Sequence, residues 1–309
     1  MEATFVLAEI NRQRRLGDQV TKVVLDALID IYYPGLAPHE IQFAEIGSYG
    51  RGTNTDPEPD IDIMYLGIPN DPQQGFFNWI GKGTFEMAQN SDGLTFLSQV
   101  QSYDPKLAQA ITETIRHIEH HFGCEGQSMF NFVRSWAVFP GVVFNISAPI
   151  PGYGQLRFDI NLYHEREYFG VEHSKRFVRY VERVRLAIGE ETAARLILDI
   201  RHVKQAAKDF ARDAETGKID KDKKVWGIIC EGLFTYSYPP PSRDELSAEI
   251  SNTDLASFPS ARSDTDYIYP IQVIDENLSL KNVLDVGWET GLLHEENWET
   301  LVKAIGSHK

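Results

Sequence analysis

The stretch that decides the fold runs from Phe43 to Leu66, FAEIGSYGRGTNTDPEPDIDIMYL. A short apolar run enters the pair Gly47-Ser48, a glycine-rich polar segment follows, and a second apolar run carries Asp60 and Asp62 one residue apart. This order predicts a strand, a phosphate-binding turn and a second strand. Alternate residues of a strand share a face, so Asp60 and Asp62 are expected on one side, with Ile61 and Ile63 toward the core. Two hard oxygen ligands at that spacing suit Mg²⁺ or Mn²⁺ shared with a nucleoside triphosphate. The glycines at 47, 50 and 52 are expected to let backbone N–H groups approach phosphate oxygens, with the Ser48 hydroxyl as a further donor and Arg51 as an adjacent cation. A lone Asp-x-Asp matches by chance in many chains. Here the weight comes from glycine turn, serine and paired aspartates following one another in one strand-turn-strand unit.

Working outward, apolar residues at Leu16, Val20, Val23, Val24, Ala27, Leu28 and Ile31 recur at helical spacing and stop at Pro34-Gly35, predicting a helix over 9–33 along the back of the sheet. Strands are expected at 41–46, 60–66, 129–135, 141–147 and 155–162, and a helix at 105–122. Residues 67–93 read as a loop-dominated insertion with scattered aromatics. Within it, Gly81-Lys82-Gly83-Thr84 fails the phosphate-loop pattern, since Phe76 and Gly83 stand where Gly and Ser or Thr are required. On the helix at 105–122, His117, His120 and His121 read as cationic side chains suited to a helix end. The last strand, in LRFDINLYH, places Asp159 between Phe158 and Ile160. Phosphoryl transfer with two metal ions needs a third carboxylate, because two aspartates rarely fill both coordination shells. Asp60, Asp62 and Asp159 are therefore the expected ligands of two Mg²⁺ (or Mn²⁺) ions.

A chain of 309 residues can bury a full core in two domains. Its formal net charge of −15 argues against a broad electrostatic grip on nucleic acid, which relies on many Lys and Arg contacts. No apolar run approaches the ~20 residues that span a bilayer, and the N-terminus lacks a signal-peptide layout, so the cytoplasm is the expected compartment. Cys124 and Cys230 are far apart in sequence and read as core thiols. The C-terminal half predicts helices at 174–188, 190–214, 224–236 and 295–305, with Phe177, Tyr180, Val181 and Val184 as a core stripe, and a Ser-, Asp- and Pro-rich surface connection at 239–266. His173 and Lys175 follow the last strand closely, and reaching phosphate or lying at a solvated helix start are both open readings. A base-stacking aromatic is expected near these helices; Trp226 is the candidate, against the competing reading of a core residue.

Together, GSYGRGTN, DID and the later FDI resemble the polymerase-β-like nucleotidyltransferase superfamily, and within it the class I branch: bacterial cGAS/DncV-like signalling nucleotidyltransferases, oligoadenylate synthetases and archaeal CCA-adding enzymes. Three further segments carry the likeness on: IRHVKQAAKDF (200–210), VWGIICEGLF (225–234) and IQVIDENLSLKNVLDV (271–286). Glu276 and Lys281 depart from the Pro and Arg expected there. The resemblance implies an α+β fold, a nucleotidyltransferase palm of mixed sheet and flanking helices over 1–170 followed by a helical lobe over 171–309. It implies Arg201 and Lys204 as cations reaching the triphosphate of an incoming NTP or dNTP. The chain ends about where the tRNA-gripping tail domain of the archaeal enzymes begins, which favours a small product. The expected activity is metal-dependent, template-independent joining of nucleotides with pyrophosphate release, giving a cyclic or short linear oligonucleotide signal in bacterial anti-phage defence, with an effector protein encoded nearby as a partner. Three alternatives stand beside it: 3′-end addition to tRNA or another RNA, protein-primed DNA oligomer synthesis of the Hailong type with Tyr267 or Tyr269 as primer, and a non-catalytic nucleotide-binding regulator.

Overall fold

The alternation of apolar and polar residues in DIDIMYLG and GQLRFDINLY builds two neighbouring parallel strands, β2 (Asp60–Gly67) and β5 (Gly154–Tyr163). Around them β1 (Gln42–Glu45), β3 (Met129–Val133) and β4 (Gly141–Ile150) complete a five-stranded sheet in the order β1-β2-β5-β4-β3, antiparallel at every pair except β2 with β5. This is a computed structural model, and it describes residues 2–32, 42–45, 47–55, 60–67, 105–133, 141–163, 169–254, 258 and 279–307. The expected strands are all present, with bounds moved by no more than three residues. Most of the insertion at 67–93, Tyr267, Tyr269 and the start of the segment at 271–286 lie outside the described residues.

One face of the sheet is its core. Ile61, Phe158 and Ile146 are register neighbours on β2, β5 and β4, and each is fully buried. Leu156, Ala148 and Ile150 extend the same face. Burying such side chains contributes about 1.5–3 kcal/mol each. Helix α1 (Glu2–Tyr32) supplies Leu16, Val20 and Val23 as buried residues at the predicted spacing. After β1, Ser48 opens a short helical turn, α2 (Ser48–Arg51), where the sequence suggested a flexible glycine-rich loop. Helix α3 (Pro105–Phe122) matches the expected bounds, with Ala108, Ile111, Thr114 and Ile118 buried along one stripe.

The chain divides into two units. One comprises Asn11–Gly50 and Asp56–Val171 and holds the sheet; the other comprises Met1–Ile10, Arg51–Thr55 and Glu172–Lys309 and is helical. The second unit is built from α4 (Phe169–Ala187), α5 (Glu190–Phe210), α6 (Gly227–Leu233), α7 (Arg243–Ser251), α8 (Leu280–Glu289) and α9 (Glu295–Gly306). Its core joins Phe177, Val184, Ile197, Ile200, Val203, Ile229, Leu233, Phe234 and Leu301 with Val6 and Ile10 from the first ten residues. Phe258 stacks on Trp288 at 4.8 Å between ring centroids, and Trp298 closes the aromatic group. The stretch 239–266, read from sequence as a surface connection, contains α7. Ser242 and Glu245 close a reciprocal capping box at its N-terminus, while Leu246 and Ile250 are buried. Cys124 and Cys230 are both buried free thiols.

Candidate active site

The polar face of the sheet carries the acidic residues. Backbone register pairs Asp62 with Asp159, and Asp60 sits one alternation before Asp62 opposite Arg157. Because Ile61 and Phe158 occupy the core face, positions 60, 62, 157 and 159 fall on the opposite one. The side chains of Asp60 and Asp62 lie outside the described set; their place is given by the strand. Neighbouring strands are about 4.8 Å apart, so Asp62 and Asp159 are positioned side by side. Like charges at paired positions of a sheet are destabilising, and the fold retains them at the centre of the sheet. Asn145 on β4 is the register partner of Asp159, extending the polar row across a third strand. Asp159 itself is partly exposed, and Arg157 is exposed. Arg157 was not singled out from the sequence, although its distance of two residues from Asp159 on a strand was the signal that both share a face.

At the turn before β2, Gly47 is buried and Ser48 half-buried at the start of α2, with Tyr49 buried behind them. Arg14 Nε donates to the Gly50 carbonyl at 3.1 Å. Gly52 has a structural reason of its own. Its φ of +73° is the left-handed region, and a Cβ there would lie 2.7 Å from Ile10 Cγ1. The glycine at 52 is thus required by backbone conformation and by the close approach of α1.

Arg51, Arg201, Lys204 and Trp226 belong to the helical unit. The first and third converge on Glu231, a fully buried carboxylate on α6. Arg51 Nε stands 3.0 Å from Glu231 Oε2, and Lys204 Nζ 3.4 Å from Oε1. The Thr53 hydroxyl donates to Oε1 at 2.5 Å and accepts from Lys204 Nζ at 3.2 Å. His173 Nε2 completes the set, 2.5 Å from Oε2. Burial alone would raise the Glu231 carboxyl, yet Arg51, Lys204 and the bond from His173 hold it well below the usual carboxylate range. Burial lowers His173 from its ordinary value against the pull of Glu231. Lys204 is likewise lowered by burial, with Glu231 opposing and Arg51 reinforcing the shift.

His173 is therefore a buried partner of Glu231, neither at a solvated helix start nor open to solvent. Lys175 is exposed. Arg201, three residues before Lys204 on α5, donates through Nε to the Gly52 carbonyl at 2.7 Å and lies 3.8 Å from Glu9. Trp226 precedes α6 and is 42% exposed, which overturns the competing reading of a core residue; Lys224 Nζ sits 4.6 Å from its ring centroid. Glu231 was missed as a site residue in its own right. Its sequence context, CEGL within an apolar helix, gave one signal: a carboxylate on a buried face must have partners.

No family model and no curated protein matches the chain. Among solved structures it is similar to terminal uridylyl transferase 4 from Trypanosoma brucei with bound UPU, at 14% identity and a TM-score of 0.37, over 76% of this chain and 59% of that one. Among the described residues no helix is long and apolar enough to cross a membrane.

Proposed function

We propose that the chain is a metal-dependent, template-independent nucleotidyltransferase acting on NTPs or dNTPs. The observation that carries this reading is the register of β2 and β5, which sets Asp62 beside Asp159 and Asp60 one alternation away on the face opposite the buried Ile61 and Phe158. A three-carboxylate donor set fits hard divalent cations of the Mg²⁺ and Mn²⁺ type. Asp60, Asp62 and Asp159 would hold them, and when bound the ions supply charge neutralisation on the phosphates and greater acidity in the attacking hydroxyl. Gly47 and Ser48 offer donors to phosphate oxygens at the start of α2. Asp159 accepts the proton of the acceptor hydroxyl. The hydroxyl oxygen bonds to the α-phosphorus, the bond from that phosphorus to the bridging oxygen breaks, and pyrophosphate leaves.

The net charge of −15 favours a small acceptor over structured nucleic acid, so the product is proposed to be a cyclic or short linear oligonucleotide. The test is release of pyrophosphate from each labelled NTP and dNTP, with and without tRNA, by the wild-type protein and by Asp60→Ala combined with Asp62→Ala. The expected result is release that the double substitution abolishes. Full release by the double variant would overturn the proposal, and extension of added RNA alone would replace the oligonucleotide product with 3′-end addition.

A further inference from the structure

Arg51, Gly52 and Thr53 directly follow the turn that begins at Gly47-Ser48, and all three are clamped. Arg51 reaches α4 through Ser174 Oγ at 2.7 Å and α6 through Glu231. The Gly52 carbonyl accepts from Arg201 on α5, and Thr53 bonds both Glu231 and Lys204. Three consecutive residues are thus tied to three helices, with one carboxylate shared by Arg51, Thr53, Lys204 and His173. Gly227, at the start of α6, belongs to the same arrangement. A Cβ there would lie 2.9 Å from Lys204 Cε and 3.1 Å from Nζ, so its lack of a side chain admits the ammonium. Solvent cannot substitute for Glu231, whose side chain is fully buried; its removal takes from Arg51 and Lys204 the carboxylate they share.

We infer that Glu231 is a positioning residue that fixes Arg51–Thr53, and through these residues the nucleotide-binding turn immediately before them in the chain. The role in nucleotide binding rests on the phosphate reading of Gly47-Ser48 proposed above; the anchoring itself does not. On this account Arg51, Arg201 and Lys204 hold the segment, and act on the nucleotide through the geometry of the turn. A misplacement of about 1 Å in a positioning element costs a large factor in rate, so an anchor on the residues that directly follow the turn in the chain has leverage on it.

The experiment uses Glu231→Gln, which keeps shape and removes charge, and Thr53→Val, which removes the shared hydroxyl without altering charge. Each is digested with limiting trypsin under native conditions, and the first cut is located by mass spectrometry. Affinity for Mg²⁺-NTP is measured on the same samples. The expected result is early selective cleavage of the Arg51–Gly52 bond in both variants, absent in wild type, together with an affinity loss of about tenfold or more in Glu231→Gln that Glu231→Asp partly restores. Folded variants without selective cleavage there would overturn the anchoring, and Thr53→Val answers that question even if Glu231→Gln fails to fold. Selective cleavage with unchanged nucleotide affinity would overturn the positioning role. A wild-type protein that binds no nucleotide would overturn the phosphate reading instead, and the cleavage result would identify that case.

Discussion

In the sheet unit three carboxylates, Asp60, Asp62 and Asp159, occupy neighbouring register positions with Arg157 across from the first. In the helical unit a single carboxylate, Glu231, is enclosed by Arg51, Lys204 and His173. The first arrangement lines up acidic positions on one face of a sheet, where Asp159 is partly exposed. The second carries its own counter-charges and is sealed from water. Excess charge at a surface suits binding; charge neutralised in the interior suits holding a backbone segment in one conformation. Within the helical unit, Lys204 of α5 meets Glu231 and Arg201 meets the Gly52 carbonyl.

The largest expected effect separates the two kinds of interior. Phe158→Ala removes a fully buried side chain from the sheet core and should cost about 3–5 kcal/mol. Glu231→Ala removes the buried carboxylate shared by Arg51 and Lys204 and should cost about as much, 3–5 kcal/mol. Acid distinguishes them. The depressed Glu231 carboxyl contributes stability present above its ordinary value of 4.5 and lost as pH falls through the lower folded value. His173, lowered from 6.5 by burial, takes up its proton less readily when folded, so stability also falls as pH drops below 6.5. Urea midpoints from pH 7 to pH 3 should decline in parallel for wild type and Phe158→Ala, and less steeply for Glu231→Gln. Equal slopes in all three would break the contrast between an apolar interior and a charged one.

A smaller effect sharpens the account of the segment that the helical unit holds. Gly52→Ala must place a Cβ against Ile10 at a positive φ, and should cost about 1–3 kcal/mol. Gly217 has a comparable φ of +67° with nothing within 4 Å of a Cβ, so Gly217→Ala meets the backbone term alone, about 1 kcal/mol. Thermal unfolding of the two variants side by side reads the difference. If Gly217→Ala proves the more costly, the close approach of Gly52 to Ile10 on α1 is not a constraint.

How much was legible in the sequence follows the same division. Strand alternation is local, so the shared face of Asp60 and Asp62 could be read from spacing of two, and α3 from its apolar stripe. The register that puts Asp62 opposite Asp159 is a pairing across 97 residues, and only the parallel neighbours β2 and β5 fix it. The Glu231 network is less legible still, because its members at 51, 53, 173, 204 and 231 share no pattern and are united by burial. Composition also misled. The run PPPSRDEL in 239–246 looked like a connection because of its prolines, yet Ser-x-x-Glu within it is a helix-start signal, and α7 begins there.

That last element supplies the smallest effect. Ser242 Oγ accepts from the Glu245 amide while the Glu245 carboxylate accepts from the Ser242 amide at 2.8 Å, satisfying two backbone donors that a helix start otherwise leaves unpaired. Ser242→Ala should therefore cost about 1 kcal/mol. The bonds are exposed, so water can replace them in the variant, whereas nothing replaces the bonds to Glu231. The ratio of the two losses, measured by urea unfolding, tests the distinction directly. If Ser242→Ala costs as much as Glu231→Ala, then local capping, and not buried charge, dominates the helical unit, and the anchoring assigned to Glu231 loses its energetic ground.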